Sequence, residues 1–554
     1  SDTNENSDYL NDIDFSIEDI EKVLRALPSD SAAGPDGVPS ELLKNAAKGL
    51  KTPLWLLYRS SLDKGQPLES VYTAAITPVF KGGNKSEPQK YRPVSLTSHI
   101  VKVFERILRK SMMNHLEENH LINASQHGFR VNRSTLTQLI EFYENVLELS
   151  ETGNLVDAVY LDYAKAFDKV AHSVLLKKLK EKTKISGKIG KWLHDFLTNR
   201  VQSVIIGGES SENVKVLSGV PQGTVIGPVL FIIMISDVDV GIMNHISLYA
   251  DDSRVYGQVK NAQDVKFVQQ DLERVYEWAK DNKMEFNTDK FELLRFGRND
   301  DLKNDTCYVS PKGEEIREKD SLRDLGVIMS NNLRFDEHIG TIVNKATQMA
   351  GWILRSFKTR NAETMMLLYK QLVRSGLEYC CPLWSPNEEG QKKKIENVQR
   401  SFTRKIDGLS GTGRPNYWER LKILNIYSME RRRDRYIILY TVKALNGIVP
   451  NPGFLPRANE RTGPHLIIPL MRSGGGIATE KMIDRSLLVQ GPRLFNILPK
   501  ELRTASEVMS MKSFKRELDF FLSTVPDQPT ANGLYRLAPS NSLIDQIMYK
   551  NVLS

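Results

Sequence analysis

The stretch ISLYADDSRVYG, residues 246–257, places two adjacent aspartates between two short apolar runs of β-favouring residues. This pattern predicts a β-hairpin with Asp251 and Asp252 at its turn. Aspartate is common in solvent-exposed turns, so an isolated pair would need no further explanation. The flanking runs are apolar enough to hold this turn beside a hydrophobic core, where carboxylates are costly unless they are paired or metal-bound. The hairpin therefore predicts a functional acidic site at the edge of a core.

A third aspartate ends the other strong strand pattern of the chain, VDAVYLDY at 156–163. If the strand before Asp162 lies beside the hairpin, its carboxylate converges with those of Asp251 and Asp252. Three carboxylates in one small site raise one another's pKa unless positive charge is present. Two Mg²⁺ ions about 3.5–4 Å apart would supply that charge, because Mg²⁺ prefers hard oxygen ligands. The three acids thus predict metal-dependent, in-line phosphoryl transfer.

The distribution of charge allows a polyanionic partner without requiring one. The 554 residues carry a formal net charge of +8 and have a pI of about 9.0. Residues 391–440 contain 13 Lys or Arg and 5 Asp or Glu, a local excess that equals that of the whole chain. Such a stretch is typical either of nucleic-acid contact or of an ordinary solvated surface. The longest apolar run, at 225–236, is shorter than the roughly 20 residues that cross a bilayer, so it predicts a buried helix and no membrane partner.

Helix and strand patterns mix through about residue 335, and the chain reads as helical beyond it, which predicts an α+β protein. We predict strands at 73–80, 156–163, 246–257 (a hairpin) and 291–297, and helices at 14–27, 99–116, 134–149, 225–236 and 263–283. A polar loop is predicted at 82–93. Residues 445–480, rich in Pro and Gly, are predicted to be a linker.

Eight further stretches occur in an order typical of one known family. They are SAAGPDGVPSELLK (31–44), YRPVSLTSHIVKVFERIL (91–108), QHGFRVNRST (126–135), VYLDYAKAFDKV (159–170), SGVPQGTVIGPVLF (218–231), LYADD (248–252), NTDKFELLRF (287–296) and LGVIMSNNLRF (325–335). In this order the chain resembles the reverse transcriptase of a non-LTR (LINE-type) retrotransposon of the jockey and chicken-repeat-like groups. The resemblance covers about residues 14–525.

The resemblance implies a right-hand polymerase with a mainly helical C-terminal extension. Its parts would be an acidic disordered arm (1–13), an N-terminal extension with fingers (14–155), a palm with an antiparallel sheet (156–335), a helical thumb (336–410) and the extension (411–554). An endonuclease usually precedes the polymerase in such elements, and the match here begins near residue 14. We therefore expect either a fragment or an independent or domesticated polymerase, with any endonuclease on a separate protein.

The resemblance also implies roles for individual residues. Asp162, Asp251 and Asp252 would hold two Mg²⁺ ions, for which Mn²⁺ is a possible substitute, and Lys290 would act as a general acid toward pyrophosphate. The nucleotide would be contacted by Lys81, Arg92, Arg130, Tyr163, Phe167, Gln222 and Gly223, with Phe167 as a steric gate against a ribose 2′-OH and Arg130 alternatively on the template. Leu325 and Gly326 would form the primer grip. The duplex backbone would be followed by Lys392, Lys393, Lys394, Arg400, Arg404 and Lys405. Each of these residues also has a structural reading, as a core ring, a simple turn or a surface cation.

The function implied is RNA-directed DNA polymerisation from a DNA 3′ end, with dNTP substrates and an RNA template, as in target-primed reverse transcription in the nucleus. The partners would be the RNA, the DNA primer and the RNA–DNA hybrid. The alternative is a non-catalytic or domesticated RNA-binding protein that keeps the fold. A third reading, a polymerase of a group II intron or bacterial defence system, shares the core stretches but not the tail at 490–518.

Overall fold

The computed structural model describes residues 9–31, 33–150, 153–297, 299–409, 411, 413–457, 461–469, 480–529 and 541–553. Most of the predicted acidic arm, residues 1–8, lies outside them. Mixed sheets and helices make up the described chain, which confirms the prediction of an α+β protein.

Strand β3 (Leu155–Leu161) is the middle strand of a five-stranded sheet, and it is buried on both faces. Val156 and Ala158 point into one hydrophobic core, whereas Val159 and Leu161 point into another. Because both faces are covered, the run is apolar instead of alternating, except for the buried Asp157, which pairs with Arg295 of β9. The sheet is ordered β10-β9-β3-β8-β7, with β7 at His245–Tyr249, β8 at Asp252–Val259, β9 at Glu292–Phe296 and β10 at Arg317–Lys319.

The register of β3 against β8 fixes the position of the acidic residues. The two strands are antiparallel, and Leu161 pairs with Ser253. Strands β7 and β8 form the predicted hairpin, which closes with Tyr249 paired to Asp252. The expectation that these distant segments are neighbours is confirmed, and the end of β3 meets the turn of the hairpin at one edge of the sheet.

A second sheet is built around β1 and is ordered β2-β1-β4-β5, with β6 also paired to β4. Its strands are β1 (Thr73–Phe80), β2 (Tyr91–Leu96), β4 (Val201–Ile206), β5 (Glu209–Ser210) and β6 (Val214–Lys215). The strand predicted at 73–80 is confirmed. The predicted loop at 82–93 ends early, because β2 begins at Tyr91; β2 is an edge strand, where Pro93 is tolerated.

The helices that precede residue 305 are α1 (Ile17–Arg25), α2 (Ser40–Asn45), α3 (Ala47–Lys64), α4 (His99–Glu118), α5 (Thr135–Ser150), α6 (His172–Glu181), α7 (Gly187–Thr198), α8 (Gly227–Met234), α9 (Ala262–Asp281) and α10 (Asp300–Asn304). They pack in two ways: α5 and α9 lie against the central sheet, whereas α1–α4 and α6–α8 share a hydrophobic core of their own. The apolar helix predicted at 225–236 is confirmed as α8, which is buried nearly all round, as its composition requires. No helix within the described residues combines the length and apolarity that spanning a bilayer requires.

The chain beyond the central sheet begins with a hairpin of β11 (Ser321–Asp324) and β12 (Val327–Ser330) and then becomes mainly helical, as predicted. The helices are α11 (Asp336–Ser356), α12 (Ala362–Leu368), a π-helical segment (Tyr369–Arg374), α13 (Ser375–Glu378), α14 (Cys381–Trp384), α15 (Glu389–Thr403), α16 (Tyr417–Ile423), α17 (Met429–Leu445), α18 (Glu480–Arg485), α19 (Leu487–Asn496), α20 (Lys500–Ala505), α21 (Met511–Thr524) and α22 (Leu543–Leu553). The predicted linker contains a short pair, β13 (Pro456–Arg457) with β14 (His465–Leu466), while 458–460 and 470–479 lie outside the described residues.

The late helices share a core with α5 and with one face of the central sheet. At its centre is the buried carboxylate of Glu144 on α5, which accepts hydrogen bonds from the Ser486 hydroxyl at 2.5 Å and the Leu487 N–H at 2.8 Å. Burial raises the pKa of Glu144 to about 7. The segment around 486 therefore packs on the same body as the strands that carry the acidic residues.

Candidate active site

The three predicted aspartates lie at one edge of the central sheet. Asp162 follows β3 directly, and its carbonyl accepts a hydrogen bond from the Asn287 N–H at 2.8 Å. Asp251 occupies the hairpin turn and Asp252 begins β8. Burial raises the pKa of Asp252 to about 6, and the negative charges of Asp251 and Asp162 add to the rise. Burial also raises the pKa of Asp251, with a further contribution from Asp162. The three carboxylates therefore interact electrostatically, as the strand patterns predicted.

Lys290 brings positive charge to this cluster. It ends a short 3₁₀ turn, Thr288–Lys290, which follows the backbone contact between Asn287 and Asp162. Its Nζ lies 3.0 Å from Oδ2 of Asp162. From β2 of the other sheet, Arg92 also acts on the cluster, since its charge lowers the pKa of Asp251. Two cations therefore reach the acids from two different sheets.

The donors at this edge fit a hard divalent cation. All three are carboxylates, and their mutual repulsion is what a bound cation would relieve. Within the described ranges, no three His, Cys, Asp or Glu side chains are already arranged to ligate a single ion. The cluster is therefore a set of oxygen donors without a closed cage, and Lys290 partly neutralises it.

The hairpin turn is held by residues that the sequence pattern did not single out as functional. Ala250 has a left-handed φ of +56°, and its N–H donates to the side-chain oxygen of Gln126 at 2.9 Å. That oxygen also accepts from the Gly128 N–H at 2.6 Å, and Gln126 is 1% exposed. A Cβ at Gly128 would lie 2.4 Å from the Ala250 nitrogen. In the sequence, the QHGF stretch at 126–129 was the only feature that indicated this support for the hairpin turn.

Two aromatic residues after Asp162 have different surroundings. Tyr163 is buried and stacks on Phe286 with ring centroids 4.5 Å apart, so its ring belongs to the core. Phe167 is half-buried and stacks on Phe231 at 4.3 Å, with the edge of Phe129 at 6.1 Å. The ring of Phe167 is thus fixed in orientation, while part of it stays accessible. Because the ring of Tyr163 is buried, a ligand could contact only the backbone of that residue.

Gln222 and Gly223 dock the loop after β6 onto β2. The Gln222 carbonyl accepts from the Ser95 N–H at 2.7 Å, and its side-chain amide donates to Asp168 at 2.8 Å. Gly223 has a φ of +106°, and a Cβ there would lie 2.5 Å from the Ser95 carbonyl oxygen. The glycine is required both by this conformation and by the close approach of the two backbones.

Leu325 and Gly326 form the turn between β11 and β12, close to the acids. Both have positive φ, +44° and +92°. The Leu325 carbonyl accepts from the Tyr379 hydroxyl at 2.9 Å. A cavity of about 150 Å³ is lined by Leu325 together with Asp162, Asp252 and Lys290. Three of the four predicted catalytic residues therefore share one cleft with Leu325 of the predicted primer grip, and Asp251 lies in the hairpin turn beside Asp252.

A buried ion pair lies beneath this cleft. Arg254, two residues after Asp252, pairs with Asp324 at the end of β11, and both side chains are almost fully enclosed. The guanidinium also lies over the ring of Phe142, 3.9 Å from its centroid. The pair connects the strand that carries the acids to the hairpin that carries the turn.

The other cations predicted to contact the nucleotide or the duplex differ in how exposed their side chains are. Lys81 is exposed after β1. Arg130 is turned inward: its guanidinium donates to Glu117 at 2.8 Å and to the Asn123 carbonyl at 2.9 Å. On α15 and just after it, the exposed predicted cations are Lys393, Lys394, Arg400, Arg404 and Lys405. Lys392 is instead mostly enclosed and pairs with Glu430 at 2.7 Å.

Much of the charge excess at 391–440 is structural. Arg431 and Arg433 on α17 are 0% and 1% exposed. Arg431 donates to the carbonyls of Val525 and Pro526, at 3.2 and 2.7 Å. Arg431 therefore binds the end of α21 inside the protein, and Arg433 is buried as well, so the excess overstates the surface available to a polyanion.

The fold and the cleft agree with the comparisons to known proteins. Residues 81–329 match the family described as Reverse transcriptase (RNA-dependent DNA polymerase), so the chain carries a reverse transcriptase domain. A probable RNA-directed DNA polymerase from transposon X-element of Drosophila melanogaster is 27% identical over 65% of this chain and 40% of its own length. RNA-directed DNA polymerases from mobile element jockey of Drosophila melanogaster and Drosophila funebris are 25% and 27% identical, each over 71% of this chain and 44% of their own length.

These matches confirm the resemblance drawn from the sequence, since residues 81–329 match the reverse transcriptase family and these curated relatives are polymerases of the jockey and X-element transposons. The matched region spans less than half the length of these curated relatives.

Proposed function

We propose that this protein is an RNA-directed DNA polymerase that extends a DNA 3′ end on an RNA template with dNTPs. The observation that carries the proposal is the pairing of β3 with β8, which brings Asp162, Asp251 and Asp252 to one edge of the sheet. The reverse transcriptase family match covers this edge. Acidic clusters of this kind suit phosphoryl transfer, where positioning and charge stabilisation dominate.

The three carboxylates are the residues that would hold two Mg²⁺ ions, with Mn²⁺ as a possible substitute. When bound, such ions activate the attacking hydroxyl and neutralise charge on the leaving pyrophosphate. Asp162 and Asp251 are proposed as the principal ligands, and Asp252 as a residue that also sets the geometry of β8. Lys290 would give a proton to the leaving pyrophosphate, a role supported by its position 3.0 Å from Asp162.

The incoming nucleotide is proposed to lie between the acids and β2. Arg92, whose charge already acts on Asp251, and the exposed Lys81 would contact its phosphates. Phe167 would meet the sugar, because its ring is fixed by Phe231 and partly accessible. Gln222 and Gly223 would line the base side of the site. Arg130 is not proposed as a nucleotide contact, because its guanidinium already donates hydrogen bonds to Glu117 and to backbone carbonyls.

The parts of a right hand are assigned on the same basis. The central sheet would be the palm, the β1 sheet with its neighbouring helices the fingers, and α11–α15 the thumb. The exposed cations of α15 would follow the backbone of the RNA–DNA hybrid without reading its sequence. We propose priming from a nick in nuclear DNA, made by a separate endonuclease, as the resemblance to LINE-type elements implies.

A primer-extension assay with an RNA template, a DNA primer, dNTPs and Mg²⁺ tests the proposal. Asp251→Asn should lower extension by about 10³-fold or more, because it removes charge that binds metal, a contribution of several kcal/mol. Binding of the hybrid should change little. Asp30→Asn, in an exposed loop, is the matched control and should leave extension unchanged.

Absence of extension by the wild-type protein, with hybrid binding retained, would favour the alternative of a non-catalytic RNA-binding protein. Extension by Asp251→Asn at the wild-type rate would remove that residue from the catalytic set.

A further inference from the structure

A second cavity, of about 300 Å³, lies between the π-helical segment Tyr369–Arg374, α17 and α21. We call it the basic pocket, because five of the residues that line it are cations: Lys370, Arg374, Arg432, Arg435 and Lys515. The rings of Tyr427 and Tyr436 form part of the wall. The pocket shares no lining residue with the cleft that holds Asp162 and Asp252.

Two carboxylates hold two of these cations in place. Arg432 pairs with Glu378 in a two-pronged contact that includes a 2.9 Å bond, and Arg435 pairs with Asp519 in the same way, including a 2.8 Å bond. Arg374 lies 3.5 Å from the same Glu378. Two carboxylates for five cations leave three unit charges without local compensation.

The charge left over is that of Lys370, that of Lys515 and that of one of the two arginines that share Glu378. Lys370 and Lys515 are exposed, and neither forms an ion pair with a residue in the described part of the chain. Arg374 is mostly enclosed, and burial together with the charge of Arg432 lowers its pKa. Holding these groups together is unfavourable without an anion between them.

The backbone that carries two of these cations has an unusual conformation. Lys370 and Arg374 lie in a π-helical turn, a rare form that occurs often at functional sites. The turn is anchored by Tyr369, which is fully buried with its hydroxyl against the sulfur of Met429. The arrangement of the cations is therefore set by the core.

We propose that the basic pocket binds a phosphate group of a nucleic-acid strand, with Lys370, Arg374 and Lys515 as the ligands. Arginine forks and lysine charges both suit phosphate oxygens. A volume of 300 Å³ accommodates more than a single ion, and tyrosine rings in the wall suit a sugar or base attached to the phosphate. Only the choice of a nucleic acid as the source of the phosphate rests on the proposed function.

The basic pocket is connected to the Leu325–Gly326 turn through two consecutive residues. Glu378, which fixes Arg432, is followed directly by Tyr379, whose hydroxyl holds the Leu325 carbonyl. A strand gripped in the pocket would thus be anchored to the helix that supports the Leu325–Gly326 turn. The pocket would supply an anchor for nucleic acid outside the polymerase cleft.

Fluorescence anisotropy with a labelled single-stranded RNA tests the proposal, using the double variant Lys370→Gln, Lys515→Gln. Both side chains are exposed, so the variant should fold. We expect affinity to fall about tenfold or more at 0.1 M salt, and the slope of log K against log salt to decrease in magnitude by about 1.4. The control, Lys177→Gln with Lys180→Gln on α6, removes the same charge from another exposed surface and should change neither value by as much.

Equal losses of RNA affinity in the two double variants would show a general effect of charge and refute the proposed phosphate site. Inorganic phosphate separates the sources of phosphate: it should displace RNA from the wild type at concentrations that leave the Lys370, Lys515 variant unaffected. Phosphate binding that is lost in the double variant, while RNA affinity stays unchanged, would assign the pocket to small phosphate compounds and not to a strand. Because the assay needs no synthesis, a pocket-dependent loss in a protein that fails to extend primers would refute the proposed function while leaving the pocket in place.

Discussion

The side-chain oxygen of Gln126 accepts a hydrogen bond from the backbone N–H of Ala250, 2.9 Å away, in the turn that carries the paired aspartates. The same oxygen binds the Gly128 N–H, so one buried amide joins the segment after α4 to the hairpin. The neighbouring backbone reinforces the contact, because the His127 N–H donates to the Leu248 carbonyl at 2.9 Å. The geometry of Asp251 therefore depends on a residue that is distant in the sequence.

Replacement of Gln126 by methionine should keep the shape of the side chain and remove its acceptor. Two buried N–H groups would lose their partner, at a cost of about 1–3 kcal/mol each. We expect lower thermal stability and primer extension reduced by about tenfold or more, with hybrid binding nearly unchanged. Gln66→Met, at an exposed position, is the control. Full activity in the Gln126 variant would show that the turn holds its geometry without this bond.

Phe167→Val tests the proposed steric gate. The smaller side chain would open space beside the sugar while Phe231 and Phe129 keep the surrounding wall. Discrimination against ribonucleotides should fall by roughly tenfold or more, since pocket shape of this kind contributes about 1–3 kcal/mol. The measurement is kcat/KM for a dNTP and its rNTP on one template. Phe267→Val, on the exposed side of α9, should leave the ratio unchanged, and an unchanged ratio in the Phe167 variant would return this ring to a purely structural role.

Tyr379→Phe tests the support of the Leu325–Gly326 turn. The variant loses hydrogen bonds to the Leu325 carbonyl and to the Thr135 hydroxyl, at 2.9 and 3.1 Å, while keeping the ring against Gly326. At about 1 kcal/mol for such a bond, KM for the primer–template should rise roughly fivefold. The rate at saturating primer–template should change less. Tyr9→Phe is the control, and a fall in kcat alone would argue against a role in holding the primer.

Acid stability should depend on His338. Burial lowers its pKa from 6.5 to about 4, and the charges of Arg323 and Lys345 act in the same direction. As the pH falls, the unfolded chain takes up this proton near pH 6.5 and the folded protein only near pH 4, so the folded state loses stability in between. The loss attributable to this group between pH 8 and pH 5 is about 2 kcal/mol.

Urea unfolding at pH 8 and pH 5 measures this effect as the difference between the wild type and His338→Asn. The comparison is needed because buried acids such as Glu144, with a pKa raised to about 7, titrate in the same range with the opposite sign. If the free energy of unfolding changes equally between pH 8 and pH 5 in the wild type and in His338→Asn, His338 is not the source of the loss.

The core of the site was predictable because its signals are local. The runs around Asp162 and Asp251 are apolar enough to be strands, and paired acids beside such strands need a partner. The support from Gln126 was not predictable, since it is a side-chain bond to a backbone 124 residues away. The basic stretch at 391–440, interpreted as nucleic-acid contact or solvated surface, differs for a related reason: Arg431 within it donates to carbonyls almost a hundred residues further on. Local patterns identify which residues are charged but not which distant groups compensate them.

The contact between Glu144 and Ser486 has a consequence for how the protein is made. The two residues are 342 positions apart, and the core that they share covers one face of β3. A nascent chain on the ribosome exposes that face until the segment around Ser486 has been synthesised, and contacts between such distant segments form slowly. The central sheet should therefore reach its final packing only after residues near 486 have been synthesised, and chaperones that shield apolar sheet surface should govern the yield of folded protein.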